Sequence, residues 1–227
     1  MVRKPNQAAQ LNEKAPAEHL DNDTLYQSLQ QFLDRISYVK PEQIPDLELY
    51  MDQVTGFMEE RLRKVKRHPD DKVLTKTMIN NYTKARILPP PVKKKYSKEH
   101  VFMLLFVYYY KGILSLDDLS TVLSRLNTSF FGSQENGADV EKIYREVFAM
   151  EASQMEVLKN DLKQKYALSR QTFGQDKAAF AGLSTEERDH LQLFSFICEL
   201  AFDVYLKKLM MEKLCDAMKA DQQSQAR

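Results

Sequence analysis

The sequence predicts an all-α protein, and three observations carry the prediction. Glycine is sparse, six in 227 residues, while Leu, Lys, Glu, Gln and Met are abundant. Apolar residues recur at helical spacing along most of the chain. Ser or Asp stands in front of most of the periodic runs, where it can accept hydrogen bonds from the free amides of a helix start. At 43% hydrophobic and 10% aromatic residues, a chain of this length can fill a sizeable core.

Taken in order, residues 1–20 mix Pro, Ala, Gln and charge without periodicity and are expected to form a disordered tail. Asp23 can cap a helix that puts Leu25, Leu29, Phe32, Leu33 and Ile36 on one face. Pro41 and Pro45 then impose an extended connector. From Asp46 the spacing of Leu49, Tyr50, Val54, Phe57, Met58, Arg61 and Leu62 predicts a second helix running into the tract RLRKVKRHPDD, with Pro69 marking its end. A third helix, from about Asp70 or Val73 to Ala85, buries Leu74, Met78, Ile79 and Tyr82 and exposes Lys76, Thr77, Asn80, Asn81, Thr83 and Lys84.

ILPPP stops that helix, and the chain leaves in an extended path that carries Lys93, Lys94 and Lys95. Ser97 caps an apolar helix that Gly112 ends, with His100 read as a packing or surface residue of its first turn. Ser115 opens another helix, with Leu116, Leu119, Val122, Leu123 and Leu126 on its buried face. The Gly- and Ser-containing stretch 127–139 reads as a loop and a domain boundary. One long helix is expected from Asp139 to about Lys165, a looped region over 169–183, and a final helix from Ser184 to about Ala220 with Glu187 as capping-box partner. The stripe Leu191, Phe194, Cys198, Ala201, Phe202, Tyr205 and Leu209 on that last helix calls for a buried packing partner, either the preceding helix or a second copy of the chain. The expected division is thus a tail at 1–20, a head at 21–126 and a C-terminal helical, dimerising domain at 139–220.

Charge is the strongest functional signal. From Arg61 to Lys98 thirteen Lys and Arg stand against Asp70 and Asp71, a local charge of +11 in a chain of net charge +1, so the remainder carries −10. A basic head on an acidic body suits a polyanion. Catalysis is not expected: no Gly-rich phosphate loop, HExxH, CxxC or Gly-x-Ser-x-Gly occurs, and His19, His68, His100 and His190 are scattered over separate elements. No metal site or cofactor is expected either. Cys198 and Cys215 lie 17 positions apart on one helix, about 25 Å by the ~1.5 Å rise, which excludes a bridge between them. The longest uncharged apolar run, Val101 to Tyr110, is half of the roughly 20 residues that span a bilayer, so no integral membrane contact is expected. With no secretory signal at the N-terminus, the expected location is cytoplasmic.

The segments Thr77-Met78-Ile79-Asn80-Asn81-Tyr82, Ile87-Leu88-Pro89-Pro90-Pro91, Tyr96-Ser97-Lys98-Glu99 and Leu114-Ser115-Leu116-Asp117-Asp118-Leu119 occur in an order that resembles the MerR-like winged helix-turn-helix head of bacterial transcription regulators. They are closer still to a bacterial family known only as a domain of unknown function, a likeness that extends upstream through IPDLELYMDQVTGFMEERL and covers about residues 44–126. The resemblance implies a DNA-binding regulator. Two departures stand out: Asn80 replaces the arginine usual on the recognition helix, and VKKKY lacks the glycine and the second Tyr-Arg unit of the usual wing, so the wing is expected to be short or absent.

Chemistry fits that implication. Asn80 and Asn81 can pair with adenine in a major groove, Lys76 and Lys84 can reach flanking phosphates, Lys93, Lys94 and Lys95 can follow the backbone or the minor groove, and Thr77 and Arg86 complete the expected DNA-binding set. Double-stranded DNA is the expected partner, bound by a homodimer formed through the C-terminal helix, because one copy offers a single recognition helix. Any effector would be an organic molecule held in a helical pocket. The alternative is a helical interaction module whose basic tract meets an acidic protein or an anionic membrane surface. A lipid patch would set its basic residues beside exposed Phe, Leu or Trp, whereas the face at 76–84 interleaves lysines with amide and hydroxyl groups.

Overall fold

A computed structural model of the chain describes residues 21–132 and 137–225, and the expected tail at 1–20 lies outside them. The described residues form eight α-helices and two short strands: α1 Asn22–Arg35, β1 Leu49–Tyr50, α2 Met51–Leu62, α3 Lys76–Lys84, β2 Lys95–Tyr96, α4 Lys98–Tyr110, α5 Leu116–Arg125, α6 Val140–Phe148, α7 Glu151–Ser169 and α8 Thr185–Gln225. The mostly α class is as the sequence predicts. No described helix is long and apolar enough to cross a membrane.

Most helix starts follow the expected chemistry. Ser115 Oγ accepts from the Asp118 amide at 3.1 Å, Asp139 accepts from the Lys142 amide at 2.8 Å, and Ser184 and Glu187 exchange bonds as a capping box. The first cap is Asp21 rather than Asp23, since its carboxylate is the one that reaches the amides of Asp23 and Thr24. The second helix starts at Met51 rather than Asp46, because Leu49 and Tyr50 are drawn into an antiparallel pairing with Tyr96 and Lys95. It ends at Leu62, with a single 3₁₀ turn over Arg63–Val65. The third helix starts only at Lys76, where Thr75 Oγ1 accepts from the Met78 amide.

α4 is the axis of the core. Every residue from Val101 to Val107 is buried, within a core cluster to which α2, α3, α5 and α6 also contribute. Tyr144 of α6 lies fully buried against it, its ring 4.9 Å from Phe102 and 5.4 Å from Phe106, and its hydroxyl donates to the Val39 carbonyl at 2.7 Å. The same core therefore runs on past residue 126, where the sequence reading ends the head, and takes in Val140 and Tyr144.

The helix expected over 139–165 is two helices, α6 and α7, with a turn at Ala149–Met150. Phe148 stays with the core, packed between the tilted rings of Tyr38 and Tyr144, while Glu151 leaves it to accept a bond from the Tyr38 amide at 2.7 Å. α8 departs most from expectation. At 41 residues it is about 60 Å long. Its first half packs on α7, with Lys165 joined to Asp203 at 2.8 Å, and its last turns reach α5, where Lys219 meets Asp117 at 2.7 Å and Asp118 at 2.9 Å. The face it buries is Gln192, Phe196 and Cys215, whereas Phe194, Phe202, Tyr205 and Leu209 of the predicted stripe point outward. α7 is thus not the partner of that stripe.

Candidate nucleic-acid interface

The basic tract is organised around the start of α2. That helix packs against both α3 and β2. Asp52, in its first turn, pairs with Lys76 at the start of α3, and Glu48, just before β1, pairs with Lys95 of β2 at 3.3 Å. Two carboxylates four residues apart thereby hold the first turn of α3 and the segment after the triple proline to one stretch of chain. A lysine in the first turn of a helix opposes the helix dipole, and Asp52 offsets it. Both pairs are exposed, where an ion pair is worth at most about 1 kcal/mol, so either can open when a polyanion approaches.

Beyond these anchors the predicted residues are free. Thr77, Asn80, Asn81 and Lys84 lie exposed along α3 while Ile79 and Tyr82 are buried beneath them. Neither Asn80 nor Asn81 has a side-chain hydrogen bond to another of the described residues, so both amides are available to a ligand. Of the thirteen basic residues in the tract, Lys66, Lys76, Lys95 and Lys98 have carboxylate partners among the described residues, which leaves nine without one.

Arg86, Lys93 and Lys94 share a feature that composition and periodicity did not reveal. All three have left-handed backbone, with φ of 58°, 50° and 66°. Arg86 occupies the position after the α3 cap that glycine normally takes: its amide donates to Thr83 O at 3.1 Å and the Ile87 amide to Tyr82 O at 2.9 Å, the bonding of a Schellman motif. Lys93 and Lys94 form the tip of a two-residue hairpin in which Val92 and Lys95 exchange both backbone bonds, at 3.1 and 2.9 Å. Positive φ at both central positions is the signature of a type I′ turn, for which Asn-Gly is the favoured pair. A non-glycine residue held there costs on the order of 1 kcal/mol or more. The segment after the triple proline is therefore a short hairpin, its second strand continuing into the pairing with β1.

One supporting residue escaped the sequence reading, and a second has its place decided by the structure. Asn127, in a stretch read as loop, winds into a π-helical turn over Leu126–Phe130 and donates to the carbonyls of Arg86 at 3.0 Å and Ile87 at 2.7 Å, which locks the exit of α3. Of the two readings of His100, packing or surface, the structure shows packing: the ring is buried, with ring centroids of Tyr96 and Phe131 at 5.3 and 4.7 Å. Its Nδ1 accepts from the Ser97 amide at 2.9 Å, so the neutral ring carries its proton on the buried Nε2. Burial holds its pKa below the ordinary histidine range, although the Pro89 and Pro90 carbonyls pull the other way.

The core that carries this surface begins at Val39 and ends at Tyr144. Residues 39–147 match the family model described as Domain of unknown function (DUF1836). The DUF1836 span thus coincides with the packed core: it takes in β1, α2, α3, the hairpin, α4, α5 and nearly all of α6, and leaves out α1, α7 and α8. No curated protein and no solved structure matches the chain significantly.

Proposed function

We propose that the chain is a DNA-binding transcription regulator whose head reads duplex DNA with α3 in the major groove and the Lys93–Lys94 hairpin on the backbone, in the manner of the MerR-like group. The observation that carries this reading is the placement of Arg86, Lys93 and Lys94 at three left-handed positions where Gly or Asn would be more stable. Residues kept at a cost to stability cluster at functional sites, and of the four non-glycine left-handed residues among those described only Phe173 lies away from this surface. What these three have in common is charge. The polar face of α3, with Asn80 and Asn81 between Lys76 and Lys84, has the amide and cation mixture that suits base edges flanked by phosphates.

A regulator of this kind binds two half-sites as a pair of chains. The middle of α8 supports pairing with a second copy: Phe202, Tyr205 and Met210 are 60%, 57% and 66% exposed, between the contacts with α7 and α5. Such a row of apolar side chains on a long helix is what an interhelical seam buries.

One observation favours the second reading, adhesion to an anionic membrane surface. Leu47, Tyr50 and Val92 are exposed beside the hairpin lysines, which is the apolar-with-basic mixture that a lipid surface selects. Binding of the full chain to random duplex DNA and to anionic liposomes, each at about 50 and 200 mM salt, separates the two. DNA binding that falls steeply with salt, without liposome binding, is the expected result. Replacing Lys93, Lys94 and Lys95 by Ala should then weaken all DNA alike and flatten the salt slope, whereas Asn80→Ala should cost about 1–3 kcal/mol at a selected site only. Liposome binding without DNA binding would overturn the regulator reading.

A further inference from the structure

A cavity of about 720 Å³ opens where the core meets the helices outside it, within the size range of small-molecule sites. Its apolar lining comes from Leu33 and Ile36 at the end of α1 and from Met155 and Leu158 of α7, with Tyr108 and Tyr109 from the end of α4. Its charged lining is mostly cationic, four Lys and Arg against Asp71 and Glu151.

Its charged groups are of two kinds. Lys66 is satisfied by Glu59 at 2.5 Å and by the Pro69 carbonyl, Asp71 accepts from the His68 amide at 3.0 Å, and Glu151 accepts from the Tyr38 amide at 2.7 Å. Lys111, Arg67 and Lys72 line the same cavity and have no carboxylate partner among the described residues. Lys111 is the most informative of the three. Its ammonium is half-buried, donates to the Val73 carbonyl at 2.6 Å and stands 5.0 Å from the Tyr108 ring centroid. Burial alone lowers its pKa. A half-buried cation with a carbonyl and a ring for neighbours is stabilised by an anion, which would complete its hydrogen bonding and offset its desolvation.

We propose that this cavity binds an amphipathic organic carboxylate, with the anionic head against Lys111 and the apolar body between α1 and α7. Because its walls come from α4 and from helices outside the core, such a ligand binds only the assembled arrangement and stabilises it. The site stands whether or not the hairpin binds DNA.

The test is calorimetric titration of the full chain with decanoate and, separately, with decan-1-ol. Expected are one decanoate per chain and at least tenfold weaker binding of the alcohol. Lys111→Met should remove that preference and Lys111→Arg should keep it. Met155→Trp, which fills the apolar end, should abolish binding of both probes, and it decides the matter if Lys111→Met fails to give a cooperative thermal melt. Equal binding of acid and alcohol, no binding of decanoate, or decanoate binding that survives Met155→Trp, as it would on the exposed face of α8, overturns the proposal.

Discussion

α4 and α8 are built alike and end up differently. Each carries a concentration of large apolar side chains, yet α4 is buried from Val101 to Val107 and α8 shows Phe194, Phe202, Tyr205 and Met210 to solvent. The difference lies in what surrounds them. α4 lies in a core to which α2, α3, α5 and α6 contribute, whereas α8 packs on α7 in its first half and on α5 in its last turns, which leaves Val204 to Met210 exposed among the described residues. A concentration of large apolar side chains on a helix signals burial, and only the surroundings tell whether the same chain provides it or a second copy must.

Four experiments would break or sharpen that contrast. The largest effect is expected at the centre of α4. Phe102→Ala removes a fully buried ring packed on Tyr144 and should cost about 3–5 kcal/mol in denaturant unfolding. A loss as small as that of a surface substitution would mean the core is not organised around α4. On α8, Phe202→Glu with Leu209→Glu should leave the unfolding free energy of the isolated chain within about 0.5 kcal/mol while converting a dimer to a monomer by light scattering at micromolar concentration. A wild-type chain already monomeric there would leave α8 without the partner assigned to it.

The third experiment turns to the hairpin. Lys93→Asn with Lys94→Gly relieves two left-handed lysines and should raise stability by about 1 kcal/mol while weakening DNA binding. A more stable variant that binds DNA as well as the wild type would remove any need for charge at the tip. The smallest effect concerns His100. Its pKa is lowered on folding, so the unfolded chain binds more protons once the pH drops below the ordinary histidine value of about 6.5. The stability tied to its neutral ring is complete above that value and declines as pH falls below it, by at most about 1.4 kcal/mol per pH unit for one proton. His100→Gln keeps an acceptor for the Ser97 amide and should flatten thermal stability between pH 7 and 5. An unchanged slope would show that carboxylates alone account for it.

How much of this the sequence discloses depends on the range of the interaction responsible. Caps at Ser115, Asp139 and Ser184 are read directly, because the partner amide lies three residues away. The late start of α2 is not, since it depends on a pairing with Tyr96 and Lys95 some 45 residues on. The turn between α6 and α7 escapes for the same reason: Phe148 is held by Tyr38 and Tyr144, and nothing at Ala149–Met150 breaks a helix. At the candidate site the exposed face of α3 is legible from periodicity. The hairpin conformation is not, because three consecutive lysines carry no turn signal and their left-handed backbone is imposed by the strands around them. The stripe on α8 is legible as a pattern, but which of its two candidate partners covers it is not.

The length of α8 would fix more than stability. In a two-fold pair seamed along its middle, the separation of the two heads follows from the register of the seam. A shift of one heptad moves one helix along the other by about 10 Å, close to a third of the ~34 Å turn of duplex DNA. The helix would then act as a ruler for operator spacing, and an insertion or deletion within it would change which half-sites two heads can reach without altering any residue that touches a base.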